Sequence, residues 1–144
     1  MRKLNFPYYP LADRIDEQKK FIFDRVRNKI IPLTPEEWVR QHCLELLTSN
    51  FDIPTSRIAV ERQITLNQRP KRIDIASFDK NGKPQILVEC KAPEISVNAD
   101  TLLQIGWYNT KLDTPYLWLT NGLDHYWFQR GNDLYVQVPF PRSI

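Results

Sequence analysis

Two patterns of apolar and polar positions organise this chain. The first follows Thr34. Trp38, Val39, Cys43, Leu46 and Leu47 recur at the spacing of a helix with one buried stripe. Thr34 suits the N-cap, Pro35 the first helical position and Glu37 the third, which makes a capping box. The helix should stop near Asn50, because Pro54 forbids its continuation. Glu36 borders the apolar stripe and Glu37 points away from it. Glu37 is therefore assigned to capping, and Glu36 to whatever the helix packs on. His42 falls inside the stripe and fills its edge.

The second pattern is alternation. Residues 71 to 91 form two β-type runs around Asp79-Lys80-Asn81-Gly82-Lys83. Asn-Gly predicts a type I′ hairpin turn, since both residues tolerate positive φ. With Asn81 and Gly82 as the two loop residues, Lys80 pairs with Lys83. Counting outward sets Asp74 opposite Glu89 and Arg72 opposite Lys91. Residues two apart share a face, and directly opposed Cβ atoms lie about 5 Å apart. Arg72, Asp74, Glu89 and Lys91 then stand together. Ile86, Val88 and Cys90 take the other face, so an apolar back and a charged front are expected.

The remaining segments fill in a mixed fold. Residues 1 to 19 read as an irregular arm that packs through Phe6, Tyr8 and Tyr9. Residues 20 to 24 suggest a short strand, and 30 to 33 an apolar patch. Residues 57 to 66 read as a strand with imperfect alternation, in which Glu61 is the polar residue to watch. Residues 67 to 70 read as a turn. Asp100 suits the cap of a helix over 99 to 112. Gln104 and Tyr108 lie one above the other on it, with Lys111 beside them and Ile105 and Leu112 on its apolar stripe. Tyr116–Thr120 is a strongly apolar strand, Asn121-Gly122 a turn, and 126 to 138 a final hairpin. The expected fold is α/β (α+β), one domain over residues 1 to 144 with a mixed sheet.

Composition narrows this little. The 144 residues are 42% hydrophobic and 26% charged, with a net charge of +3. That is ordinary for a globular domain and only permits nucleic-acid binding. The two cysteines, Cys43 and Cys90, have no ligand spacing and read as buried thiols in a reducing compartment. No apolar run is long enough for a membrane span, and Pro7, Pro10 and Asp13 break any signal core. A cytoplasmic location is expected.

The shared hairpin face carries the chemistry. Two opposed carboxylates repel unless a cation or a proton compensates them. Hard oxygen ligands suit Mg²⁺, with Mn²⁺ as a substitute, and a neighbouring lysine can orient a water or take its proton. The plain alternative is a solvated, salt-bridged sheet face. Gln104 and Tyr108 read equally as an amphipathic boundary. Lys71 and Arg72 read as phosphate contacts or as charges that blunt a strand end. Trp107, Trp118 and Trp127 read as packing or interface residues.

Asp74, Glu89 and Lys91 resemble the signature of the PD-(D/E)XK nuclease superfamily, and Gln104-x-x-x-Tyr108 resembles an extra motif of some of its branches. Thr34-Pro35-Glu36-Glu37-Trp38-Val39-Arg40-Gln41, Arg72-Ile73-Asp74, Val88-Glu89-Cys90-Lys91-Ala92-Pro93 and Leu119-Thr120-Asn121-Gly122 are similar to the stand-alone domain related to the N-terminus of type I restriction enzyme R proteins. The resemblance implies a restriction-endonuclease-like core, αβββαβ, with its sheet flanked by helices. It implies that Asp74, Glu89 and the Cys90 backbone carbonyl hold the metal and that Lys91 assists the attacking water. Gln104 and Tyr108 would place DNA or the site residues, and Glu36 or Glu37 would join from the first helix. Ile73 stands where the superfamily often has proline. The implied activity is a Mg²⁺-dependent endonuclease acting on DNA. The alternative is a catalytically weak or inactive nucleic-acid-binding module that works with a motor or another restriction or repair subunit. A homodimer is a further possibility.

Overall fold

The computed structural model describes all residues except 67, 99, 102–112, 133 and 143–144, and only the backbone of 64 and 66. Helix α1 (Pro35–Glu45) starts as its residues dictate. The Thr34 hydroxyl accepts the Glu37 N–H at 3.0 Å, and a π-type turn, Leu46–Asn50, carries the helix to its end. Before it, β1 (Phe21–Asp24) and β2 (Lys29–Pro32) form an antiparallel hairpin of their own.

The main sheet is mixed and runs β3 (Ile58–Leu66), β4 (Arg69–Phe78), β5 (Pro84–Cys90), β6 (Tyr116–Thr120), β7 (His125–Arg130) and β8 (Tyr135–Val138) in spatial as well as chain order. β5 and β6 are parallel, and the other neighbours antiparallel. A mixed α/β fold with a central sheet and one substantial helix is thus observed. The second helix of the expected αβββαβ order falls on residues outside the described set. Asp100 and Thr101, at its start, are helical. Asn98, not Asp100, makes the cap. Its side-chain oxygen accepts the Thr101 N–H at 3.2 Å, and its own N–H goes to the Thr101 hydroxyl at 3.1 Å.

Both faces of the sheet carry apolar clusters. Val39 and Cys43 of α1, with Leu46 and Leu47 of the turn that follows it, pack in one cluster with Ile75, Ile86, Val88 and Cys90. Trp118 and Trp127 join the same core, stacked at 4.7 Å. On the opposite face Ala76, Leu87, Leu117, Leu119 and Phe128 form a second cluster. The expectation of an apolar back and a charged front, with Leu87 beside Glu89 and Lys91, is therefore corrected in part. The front is apolar along the strand bodies, and its charge is confined to the strand ends.

The N-terminal arm also differs from expectation. Phe6 packs on His42, Trp118 and His125, and the Tyr9 hydroxyl donates to Asn50, but Tyr8 is 89% exposed and packs on nothing comparable. Leu4 and Leu11 are the buried anchors instead. The arm lies close because Gly122 has no side chain. A Cβ there would meet Leu4 and Val39 atoms at 3.0 Å, and Gly122 has a φ of +86° that favours glycine in any case.

Candidate functional site

The hairpin closes differently from the turn its Asn-Gly predicts. Positive φ belongs to Gly82 (+79°) and not to Asn81. The Asp79 side chain accepts the N–H groups of Asn81 and Lys83, and its carbonyl accepts the Gly82 N–H. This is a three-residue loop with glycine in the left-handed position. It shifts the strands by one residue, so that Phe78 pairs with Pro84. A bulge between Ser77 and Phe78 then shifts them back, and Ser77–Ile86, Ala76–Leu87 and Ile75–Val88 follow the predicted register. Asp74 comes beside Glu89 because the two offsets cancel.

At this point the strand ends part. One step beyond Ile75–Val88, Asp74 Oδ2 itself accepts the Cys90 N–H at 2.7 Å. Alternation also breaks here. Ile75 packs with the α1 cluster, whereas Ile73 joins the cluster of Ala76 and Leu87. Asp74 is thereby reachable from the α1 side as well as from Glu89. Lys91 Nζ lies 3.5 Å from Glu89 Oε1. Burial first, and then the charge of Asp74, push the Glu89 carboxyl up to about 7, with Lys91 offsetting only part of this. Lys71 is near enough for the charge of Glu89 to act on it, although burial holds its pKa below the ordinary value.

The α1 side contributes a group that the sequence reading passed over. Arg40 is almost wholly buried. Its Nη1 binds Glu37 at 2.7 Å, and its Nη2 lies 2.9 Å from Glu36, 3.4 Å from Asp74 and 3.5 Å from Glu61. Burial alone would depress the Arg40 pKa, but the charges around it, Glu37 foremost and then Cys90, Asp74 and Glu61, hold it above its ordinary value. Glu61 sits on β3 between the pairs Val60–Ile75 and Arg62–Ile73, level with Asp74. Its φ is +52°, in the left-handed region. It also pairs with Arg72 at 3.1 Å and lies 3.7 Å from Arg27.

The two helix glutamates are not disposed as the helical wheel suggests. Glu37 is buried, and its carboxylate binds Arg27, Arg40 and Gln41. The β1–β2 hairpin covers this side of α1 and brings in Arg27, which a wheel of one helix cannot anticipate. Glu36 is the more exposed of the two. Both reach Asp74 through Arg40. Gln104, Tyr108 and Lys111 lie outside the described residues, as does Trp107. His42 binds the Trp38 carbonyl through Nδ1 and packs among rings; burial lowers its pKa. Cys43 and Cys90, distant in sequence, meet with their sulfurs 3.9 Å apart in the core beneath the site.

Residues 35–139 match the family model described as Type I restriction enzyme R protein N terminus (HSDR_N). The chain belongs to this family. Among solved structures, the chain is similar to a candidate nuclease belonging to DUF820 from Anabaena variabilis. The identity is 17% and the TM-score 0.42, over 88% of this chain and 84% of that one. No curated protein matches the chain.

Among the described residues, no three or more His, Cys, Asp or Glu side chains are grouped to hold a metal ion. The donors that could do so are two carboxylates, Asp74 and Glu89, with the Cys90 backbone carbonyl between Glu89 and Lys91. The set fits a hard divalent cation on one physical ground. Glu89 is a half-buried carboxylate beside another, with Lys91 at 3.5 Å and Lys71 near enough to feel its charge, and its pKa is still raised. No described helix is long and apolar enough to cross a membrane.

Proposed function

We propose that this chain is a nuclease-type module that engages DNA across the strand ends of Asp74, Glu89 and Lys91. Alone it cuts weakly, and it works with a partner that moves or presents the DNA. The observation that carries this reading is the state of the acid pair. Asp74 is already engaged by Arg40 Nη2 at 3.4 Å and by the Cys90 N–H at 2.7 Å, and burial and the charge of Asp74 push the Glu89 carboxyl beside it up. Such a pair is poorly disposed to act until something supplies positive charge. Exposed Arg62, Arg69 and Arg72 on the β3–β4 hairpin offer phosphate contacts beside it.

A second reading, an autonomous Mg²⁺-dependent deoxyribonuclease, is favoured by the closeness of Lys91 to the acid pair. A divalent ion held there would offset charge building on a phosphodiester and acidify a water. The chain's own residues would do the rest. Asp74 and Glu89 fix the anionic platform, the Cys90 N–H orients Asp74, and the Lys91 ammonium keeps a donor beside Glu89 for the water or the leaving oxygen.

The test uses the whole chain. Duplex DNA binding is followed against NaCl concentration, and plasmid is incubated with Mg²⁺ beside Asp74→Ala and Lys91→Ala. The expected result is salt-dependent binding, with slow nicking that both variants abolish. Rapid multiple-turnover cleavage by wild type alone selects the second reading. No binding even at low salt defeats both, and equal nicking by all three proteins marks the cleavage as contamination.

A further inference from the structure

Five acidic side chains converge near the strand ends, but they are not equivalent. Glu36, Glu61 and Asp74 share a single atom, Arg40 Nη2, at 2.9, 3.5 and 3.4 Å. Glu37 holds the other terminal nitrogen of the same guanidinium at 2.7 Å. Glu89 makes its ion pair with Lys91 instead. A site using two ions would place one between Asp74 and Glu89. The other would lie between Asp74 and the acids of α1 and β3. That second place is where the guanidinium sits.

We propose that the site takes one divalent cation, at Asp74 and Glu89, and that Arg40 fills the position a second would need. The inference rests on the metal-binding reading of Asp74 and Glu89. Three observations argue that Arg40 does not step aside. It is buried, it is clamped at both terminal nitrogens, and Glu37 is itself held by Arg27 at 2.8 Å. Moving the guanidinium out would leave the buried Glu37, and Asp74 beside it, with less compensation, which costs more than an exposed pair returns. An incoming dication would also face the charge of Arg40 across the shared carboxylates. Arg40 is thus a positioning residue. It holds Asp74 from the α1 side and leaves the Glu89 side for the ion.

The test counts ions. Mn²⁺ is titrated into the full chain by calorimetry and by electron paramagnetic resonance, without DNA. The expected result is one Mn²⁺ per chain with an uncoupled signal, lost in Asp74→Asn and in Glu89→Gln. Glu36→Gln and Glu61→Gln should keep that ion with affinity changed less than about threefold, since their partner is Arg40 and not the metal. Arg40→Gln, where circular dichroism shows the native fold, should admit a second, weaker ion. Where it does not fold, the Glu36→Gln count decides. Two spin-coupled ions in wild type overturn the proposal, as does loss of the ion in Glu36→Gln, or a folded Arg40→Gln that still binds one. No Mn²⁺ bound by wild type fails the underlying metal reading itself, a different outcome from two.

Discussion

The two sides of Asp74 use the same residue types to opposite ends. Toward α1, the buried carboxylates of Asp24 and Glu37 and the half-buried one of Asp74 face Arg27, Arg40 and Gln41. Burial would raise the Asp24 pKa. The Arg27 backbone N–H and guanidinium, with Gln41, instead hold it below the ordinary carboxylate range. Toward β5, Glu89 has Lys91 at 3.5 Å and Lys71 nearby, but burial and the acid beside it push its carboxyl up to about 7. Charge that is buried and paired holds the fold together. A carboxylate crowded by another acid favours a cation or a proton beside it. One side is scaffold and the other is the proposed site, and the difference lies in what each carboxylate faces.

The most damaging way to erase this contrast is to remove its pivot. Arg40→Met should cost about 3–5 kcal/mol of stability, because Glu37 and Asp74 lose their buried counter-charge. Urea unfolding measures it, and a cost below about 1 kcal/mol would mean that the lattice is not structural.

Glu89→Gln should have the opposite sign. The Glu89 pKa is raised from 4.5 in the unfolded chain to about 7 in the fold. Its contribution to stability is therefore fully present below 4.5 and lost as pH rises through 7. Glu89→Gln should melt higher than wild type at pH 8, by an amount equivalent to about 1–3 kcal/mol. The melting temperature should also flatten between pH 4.5 and 7. Identical pH profiles for the two proteins would show that Glu89 is not strained by Asp74.

Millimolar Mg²⁺ should sharpen the comparison further. It should raise the wild-type melting temperature at pH 8 by a few degrees, as any ligand of the native state does. It should leave Asp74→Asn unmoved. Equal shifts in both would place the ion elsewhere.

The smallest effect is expected at Glu61. It is more than a third exposed, and its ion pairs with Arg72 and Arg40 are partly screened. Glu61→Gln should change stability by less than about 1 kcal/mol. A larger loss would move Glu61 from the rim of the lattice to its centre.

Local chemistry along the chain determined a good deal of this protein. Thr34 and Pro35 start α1 because a hydroxyl can take an orphan N–H and proline needs none. Tyr116–Thr120 is a strand because a short, bulky apolar run suits a strand buried on both faces. Asp74, Glu89 and Lys91 were legible from turn counting and from family motifs. The counting assumed a two-residue turn, however, and the register was restored by a bulge that no local pattern announces.

Tertiary structure decided the rest. Arg40 carries no sign in the sequence that four carboxylates will meet it, since they come from two positions on its own helix and from two separate strands. Glu37 looks like a surface cap until the β1–β2 hairpin covers it with Arg27. Cys43 and Cys90 stand 47 positions apart until α1 packs on β5. Sequence spacing reports neighbours along a strand or around a helix. Which carboxylate is compensated and which is left short depends on charges brought in from other elements, and only the packing of those elements sets that.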